Sequence, residues 1–562
     1  MEDSNRKVSE KLNLMGEILE ILDDNPFKVR AYRRAAESIS KLAVPVESLS
    51  PEDLEATPGI GAAIAEKIRE IIETGTFQEL ETVRAKIPSP VLELLSLDGV
   101  GPKTVSTLWK KLNILSIDDL ERAARGHRIR ALKGFGPKKE AAILRAIEHY
   151  RTPSVRMTLL KADNILDGIR EVFLEGGFIV AGSYRRRKST IGDIDIVTTE
   201  KPLSVNPRIR EIADEVIDEG EKRTSFLFRK TRVDVRFVSS QKCGAMLLYL
   251  TGSKAFNIRM REIALSKGQK LNEYGIEDAR KGESYSFTRE VDIFSFMGMD
   301  YIVPELREDW GEIEAAIDHS LPRLVEDEEI RGDLHVHTSW SDGHMDIEGL
   351  AEAGKGRGYE YIVCTDHTST LGIAHGLDES AVARQAHEIE VVNRTARCRV
   401  LHGIEVDILA DGTPGLPSRV LADLDLVIGS VHSAFSQDLD VMTRRVISAL
   451  DNEHIDIIGH PTGRIIGERE PFGIDMQRVT ESAAVNGKAL ECNASPFRMD
   501  IDDIYIREAV KRGVKIAIGT DAHGPADLSW IQYGIGICRR GWATRDAVLN
   551  CMDADSLLKW AS

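Results

Sequence analysis

No apolar run in this chain approaches the ~18 residues needed to span a bilayer. Its first residues, Met1-Glu2-Asp3-Ser4-Asn5-Arg6-Lys7, carry charge where a secretory signal would carry an apolar segment. Neither a membrane span nor a secretory leader is expected. Cysteine is scarce: the six residues, at 243, 364, 398, 492, 538 and 551, form no C-x-x-C pair. A reducing cytoplasm is therefore the expected compartment. Composition is ordinary for a globular protein, with 42% apolar and 29% charged residues. That excludes a collagen, a disordered tail and a disulfide miniprotein. The 562 residues predict roughly three to five domains at ~100–200 residues each.

The chain also lacks net positive charge, at −17. Taken whole, that argues against nucleic acid. Taken in pieces it does not. Residues 101–300 carry 37 Lys/Arg against 27 Asp/Glu, whereas residues 301–330 carry 2 against 10. A basic middle is masked by acidic flanks, so the global charge is a poor guide to binding. Histidine is segregated too, with 11 of 14 after residue 330. That asymmetry predicts a separate C-terminal domain with its own chemistry.

Helical spacing of apolar residues predicts helices at Val8–Leu22, Ala31–Leu42, Ala62–Ile72, Lys103–Leu112 and Lys138–Ile147. Between them a short element recurs: Thr57-Pro58-Gly59-Ile60-Gly61, Leu97-Asp98-Gly99-Val100-Gly101 and Lys133-Gly134-Phe135-Gly136. The Gly-x-Gly pairs Gly59/Gly61, Gly99/Gly101 and Gly134/Gly136 let backbone N–H groups and a helix N-terminus approach a phosphate. One copy often only closes a turn, and three could be helix C-caps in a bundle. Three similar copies favour a reader of duplex backbone that ignores base sequence. The pattern resembles the helix-hairpin-helix motif. In Phe27–Ala36 the basic face is either solvated or a grip on a terminal phosphate, with Lys28, Tyr32 and Arg34 as candidates.

From residue 151 the period changes. Phe178–Ala181, Asp193–Thr198 and Arg232–Val238 read as strands. Asp193 and Asp195, at i and i+2, would share one strand face, and Asp234 on another strand could join them. Like charges so placed repel unless cations sit between them. Three carboxylates around two Mg²⁺ or Mn²⁺ ions about 3.5–4 Å apart suit in-line phosphoryl transfer. Ser183, Arg186 and the Gly192 backbone are placed to bind phosphate oxygens. Asp-x-Asp alone is common on exposed strands. Gly182-Ser183 upstream and the Arg185-Arg186-Arg187-Lys188 run between give it weight.

Gly-Ser followed by Gly-Asp-x-Asp resembles the nucleotidyltransferase superfamily. Tyr249-Leu250-Thr251-Gly252-Ser253-Lys254-Ala255-Phe256-Asn257-Ile258-Arg259-Met260-Arg261, with Leu271-Asn272-Glu273-Tyr274-Gly275, is similar to the thumb signature of family X DNA polymerases, the DNA polymerase beta group. The resemblance implies that Asp193, Asp195 and Asp234 hold two metals, with Asp234 as base for the primer hydroxyl. It implies that Arg156, Ser183 and Arg186 bind the triphosphate, that Tyr249, Gly252 and Asn257 contact the dNTP, and that Arg261 contacts the template side. Ala65-Glu66-Lys67-Ile68 resembles the family's deoxyribose-phosphate lyase segment, with Lys67 at the Schiff-base position. Ala63 stands where beta-like enzymes carry a helper lysine, and Leu250 where they carry an aromatic. Lys67 also reads as an exposed helical lysine, so lyase activity stays open.

After an acidic stretch at 318–332 containing Pro322, seven short strands alternate with helices: Leu334–His337, Tyr361–Thr365, Val400–Val406, Leu426–Ser430, Ile455–Gly459, Ala489–Asn493 and Lys515–Thr520. This predicts a parallel α/β barrel. Nine residues that can ligate metal fall at the C-terminal ends of six of these strands: His335, His337, Asp342, His367, Glu405, His432, His460, Asp521 and His523. Barrel active sites are built there. The constellation resembles the PHP (polymerase and histidinol phosphatase) domain over residues 331–562. That resemblance implies three metals: one on His335, His337, Glu405 and Asp521, one on Glu405, His432 and His460, and one on Asp342, His367 and His523. Imidazole mixed with carboxylate suits Zn²⁺ or Mn²⁺ better than Mg²⁺. Arg464 or Arg498 could clamp a phosphate. His344, His375, His387, His402 and His454 fit no ligand position, and Cys492 reads as core.

The expected organisation is a helix-hairpin-helix, lyase-type domain at 1–90 and a fingers-like helix-hairpin-helix domain at 91–150. An α+β nucleotidyltransferase palm at 151–240 and a thumb at 241–317 follow. A linker at 318–330 leads to a distorted (β/α)7 PHP barrel at 331–562. This arrangement resembles bacterial and archaeal family X polymerases. It implies a monomer that fills gaps in nicked or gapped duplex DNA from dNTPs during base-excision repair. The PHP domain would act as a 3′→5′ exonuclease, with AP-endonuclease or 3′-phosphatase action also open. Two other classes remain: a phosphatase carrying a vestigial polymerase, and a DNA-binding scaffold without chemistry.

Overall fold

Three glycine-led turns organise the N-terminal third. Gly59, Gly99 and Gly134 take positive φ (88°, 75° and 87°), a conformation that costs other residues steric strain. Each is followed two residues later by a glycine whose carbonyl accepts from the next helix. The acceptors are Gly61 (from Ala65), Gly101 (from Val105) and Gly136 (from Glu140), at 3.0, 3.0 and 3.1 Å. The helices so started are Ala62–Thr74, Pro102–Leu112 and Pro137–Arg151. They pack with Glu2–Ile21, Pro26–Ser40 and Ile117–Arg125 on one apolar core running from Val8 to Ile147.

The computed structural model describes residues 2–40, 46–97, 99–151, 156–173, 177–278, 281–369 and 376–562. Asp98, His375 and the end of the helix expected at Ala31–Leu42 lie outside these residues. The chain forms two compact units, residues 1–154 and 155–562.

In the second unit, a five-stranded sheet runs in the order Phe178–Val180, Ile194–Thr198, Thr231–Phe237, Arg223–Phe228, Glu215–Glu219. The last two strands are absent from the sequence reading. Glu215–Glu219 is exposed at every position, so it carries none of the alternation that marks a half-buried strand. Ile194–Thr198 pairs parallel with Thr231–Phe237, setting Asp195 directly beside Asp234. Asp193 precedes that strand instead of lying on it.

The helices Cys243–Thr251, Lys254–Ser266 and Glu290–Met297 and a three-stranded sheet at 269–285 follow. Their core closes around Arg307, which is fully buried. It pairs with Glu290 at 2.6 Å and lies over the rings of Phe256, Phe294 and Tyr301. A buried cation is tolerated only with such partners.

Seven parallel strands, Gly332–Val336, Tyr361–Cys364, Arg399–Asp407, Leu426–Ser430, Ile457–Ile458, Ala489–Asn493 and Ile516–Gly519, pair in sequence order. The first and last approach through a Val336–Ala522 bridge. Helices cover the outside, so the strands are buried almost throughout and read as continuous apolar runs. Residues 318–330, expected to link domains, are packed. Val325 is buried, its N–H donates to Ala543 at 3.0 Å, and its carbonyl accepts from Arg539 at 2.9 Å. The acidity of that stretch hides the apolar pair Leu324-Val325 that anchors it.

Candidate active sites and metal centres

The palm carboxylates sit where strands end beside a tight loop. Gly182 takes φ +62°, and a Cβ there would fall 2.5 Å from Asp195 Oδ2, so only glycine brings the Ser183 turn this close. Burial, then the charges of Asp193 and Asp234, push Asp195 up to about 7. Burial, then Asp234, raises Asp193 as well. Arg232 Nε donates to Asp234 Oδ2 at 2.7 Å, and the Ser225 hydroxyl donates to Oδ1. Sequence reasoning missed Arg232, although its i−2 spacing from Asp234 on one strand was the signal.

Around this cluster, Arg156 is braced on Thr190 (2.7 Å to Oγ1, 2.5 Å to the carbonyl). It lies 3.5 Å from where a Cβ on Gly192 would be. Arg186 reaches Glu308 at 3.0 Å and the Thr251 carbonyl at 2.7 Å. Asn257 Nδ2 donates to the Tyr249 carbonyl at 2.7 Å, and Arg261 donates to the Asn257 carbonyl at 3.0 Å. A Cβ on Gly252 would meet Asn257 at 2.7 Å. Tyr249, Asn257 and Arg261 thus line one recess with Leu271 and Asn272.

In the N-terminal unit, Lys28, Tyr32 and Lys67 converge on Glu79, at 2.5, 3.0 and 3.1 Å. Sequence reasoning missed Glu79. Partial burial would raise its carboxyl, but hydrogen bonds from Lys28, Lys67 and Tyr32 prevail and hold it at about 2. Arg34 lies apart, its Cβ 3.4 Å from where a Gly59 Cβ would sit. A Cβ on Gly61, Gly99, Gly101, Gly134 or Gly136 would meet nothing within 4 Å. These turns therefore present open backbone.

The barrel gathers all nine anticipated residues at one mouth. Glu405 is the hub. Its Oε1 lies 3.0 Å from His460 Nε2 and 3.2 Å from His432 Nε2. Its Oε2 lies 2.8 Å from His367 Nδ1, 3.4 Å from His335 Nε2 and 3.7 Å from His337 Nε2. Asp521 Oδ1 is 3.1 Å from His337 Nε2, and His523 Nε2 is 3.4 Å from Asp342 Oδ1. Ligand atoms lie within 4.8 Å of one another in three sets: His337/Asp342/His367/His523, His335/His337/Asp521 and His367/Glu405/His432. His337 and His367 are thus shared between sets, which the implied grouping did not anticipate. Among the described residues, only the barrel closes three or more such groups to this distance.

The electrostatics suit cations. Burial opposes charge on His335, but Glu491, Glu405 and Asp521 outweigh it and raise the imidazole well above its usual value. By the same balance His432 and His523 rise to about 9. Despite burial, the imidazoles hold Glu405 and Asp521 well below the carboxylate range. Among the described residues, the buried His335 Nε2, His337 Nδ1 and Glu405 Oε2 make no hydrogen bond. Orphaned ligand atoms facing one centre are costly unless an ion satisfies them, so the donor set fits divalent metal.

Sequence reasoning missed the supports. Glu491, on the sixth strand, binds His335 Nδ1 at 2.6 Å and the His460 N–H at 2.5 Å. Asp407 binds His432 Nδ1 at 2.8 Å. Such partners fix ring orientation. Of the two arginines considered as clamps, Arg498 faces the centre, 3.4 Å from Asp521. Arg464 turns away onto Asp502 at 2.6 Å. His402 is buried against Gln385, and Cys492 is buried in the core.

Fold and sites together define a metal-dependent nucleotidyltransferase joined to a metal-dependent phosphoesterase. Family models match along the chain: a helix-hairpin-helix domain (3–77), a SAM-like helix-hairpin-helix tandem (91–148), the DNA polymerase beta palm (158–247), the DNA polymerase beta thumb (246–308) and the PHP domain (333–495). The chain is 36% identical over 556 residues to the DNA polymerase/3′-5′ exonuclease PolX of Bacillus subtilis (strain 168), covering 96% of this chain and 97% of that one. DNA polymerase lambda of Rattus norvegicus is 27% identical over 343 residues, 54% of this chain and 56% of that one. A probable phosphatase of Thermoanaerobacter sp. (strain X514) is 33% identical over 232 residues, 39% of this chain and 89% of that one. The chain belongs to the family X DNA polymerases that carry a C-terminal PHP domain. No helix among the described residues is long and apolar enough to cross a membrane.

Proposed function

We propose that this chain fills short gaps in duplex DNA from dNTPs and removes 3′-terminal nucleotides in its barrel. The observation that carries the reading is the coexistence of two acid-rich centres, one framed by the tight Gly182–Ser183 turn and one by nine convergent histidines and acids. In the palm, Asp193, Asp195 and Asp234 would hold two Mg²⁺ or Mn²⁺ ions. In the barrel, the nine ligands would hold up to three Zn²⁺ or Mn²⁺ ions. Divalent ions in such centres lower the pKa of an oxygen nucleophile and offset charge developing on phosphate.

The chain's own groups do the rest. Asp234, stripped of Arg232, accepts the proton of the primer hydroxyl. Arg156, Ser183, Arg186 and the Gly192 backbone orient the triphosphate, while Tyr249, Gly252, Asn257 and Arg261 set the nascent pair. The open glycine turns track the duplex backbone without reading sequence. In the barrel, Arg498 orients the scissile phosphate, and Glu491 and Asp407 fix the rings of His335 and His432. AP-endonuclease and 3′-phosphatase reactions would draw on the same centre. Lys67 is the candidate lyase nucleophile. We place the protein in the cytoplasm as a monomer acting in base-excision repair.

The test is a gapped, labelled duplex incubated with dNTPs and Mg²⁺ or Mn²⁺. Asp193→Ala is expected to abolish extension and spare degradation, and His335→Ala the reverse. Extension surviving Asp193→Ala, or degradation surviving His335→Ala, overturns the corresponding assignment.

A further inference from the structure

The barrel does more than carry a second activity. Its helix Ile531–Arg540 lies against the palm loop Gly182–Lys188. Four separate contacts tie them. Arg540 Nη1 donates to the Arg186 carbonyl at 2.6 Å. Arg540 Nη2 donates to Glu308 Oε1 at 2.9 Å, and the same oxygen accepts from Arg186 Nε at 3.0 Å. Asp163 accepts from Tyr184 on the loop at 2.6 Å and from Tyr533 on the helix at 2.5 Å. At Gly536, a Cβ would come within 3.1 Å of the Arg187 Cβ. A side chain there would force the Arg187 side chain to give by a few tenths of an ångström.

These contacts fall on the segment whose shape matters most. Arg187 holds φ +55°, a left-handed conformation that an arginine adopts only when its surroundings impose it. The Arg540 side chain is fully buried, and its remaining charge is met by Asp503 at 2.5 Å. It therefore fixes the Arg186 backbone directly. It also shares Glu308, so that carboxylate is not left to Arg186 and Lys188 alone.

We propose that the barrel helix Ile531–Arg540 is a wall of the polymerase's triphosphate site, and that Arg540 is a positioning residue for nucleotide addition. The proposal rests on the reading of Arg186 as a triphosphate ligand. Without Arg540, Glu308 captures the Arg186 guanidinium more fully and the loop loses its anchor. Bound nucleotide suffers before chemistry does.

The experiment uses the full chain. It compares wild type, Arg540→Gln, Tyr533→Phe and Arg186→Ala in single-nucleotide gap filling, in 3′→5′ degradation of single-stranded DNA, and in thermal melting. Arg540→Gln is expected to raise the dNTP KM about tenfold with kcat within about threefold, and to leave degradation unchanged. Tyr533→Phe removes one hydroxyl without touching charge and is expected to raise KM about two- to threefold. Unchanged dNTP KM in both variants overturns the proposal, as does a parallel loss of extension and degradation in Tyr533→Phe. If Arg186→Ala itself leaves KM unchanged, the underlying reading fails. If Arg186→Ala raises KM and the helix variants do not, only the present inference fails.

Discussion

Arg232 and Asp234 are joined by a 2.7 Å charge-assisted hydrogen bond, two residues apart on one palm strand. The arginine does for the carboxylates part of what a divalent ion would do. Removing it leaves Asp193, Asp195 and Asp234 repelling one another with only Arg156 and Arg236 to offset their burial. Arg232→Ala should therefore melt earlier in chelator, and its melting temperature should rise more on adding Mn²⁺ than that of wild type. Differential scanning fluorimetry with and without the ion reads this directly, and an equal Mn²⁺ response in both proteins counts against it.

Glu405 supplies the central charge to five imidazoles. Glu405→Gln keeps the shape and removes the charge, so the histidines lose the anion that favours a cation-binding array. Metal content by elemental analysis should fall, and 3′→5′ degradation should drop by roughly 10³-fold or more. Gap filling should persist, because the palm carboxylates are separate from Glu405. Full metal content in the variant would contradict the role given to this residue.

Lys67 is held 3.1 Å from Glu79, which also binds Lys28 and Tyr32. A lysine amine held in an ion pair with a carboxylate is a poor nucleophile. Glu79→Gln should raise the yield of borohydride-trapped adduct with abasic-site DNA, and Lys67→Ala should abolish it. Trapping that survives Lys67→Ala would place the nucleophile elsewhere.

Burial pushes Asp456 up to about 7, although it accepts the Val427 N–H at 2.9 Å and lies 4.0 Å from Lys488 Nζ. The folded protein thus holds this proton more tightly than the unfolded chain, whose aspartates titrate near ~4. The sign follows: the contribution to stability is present in full below pH ~4, shrinks as pH rises, and is gone above pH ~7. The slope is roughly 1.4 kcal/mol per pH unit within that window. Asp456→Asn keeps an acceptor for Val427 and should flatten this part of the pH profile of denaturant unfolding. An unchanged slope would show that Asp456 is not its source.

Much of this molecule was legible in the chain. The barrel strands were readable because buried parallel strands are apolar runs ended by turns, and their histidines and acids sit at the ends that face one mouth. The palm strand Glu215–Glu219 was not, because an exposed edge has no apolar face to betray it. The packed role of Leu324 and Val325 was hidden by the acids around them.

What the sequence determined by itself was the inventory: which carboxylates, imidazoles, glycines and arginines exist, and which share a local strand, turn or helix. Local spacing sets those relations, since the periods of helix and strand act over a few residues. The tertiary structure alone decided the pairings across the chain. It brought Glu79 to Lys67, Glu491 to His335, and Arg540 to the carbonyl of Arg186, 354 positions away. Those depend on packing of distant elements and on the need to satisfy each buried charge, and no short motif encodes them.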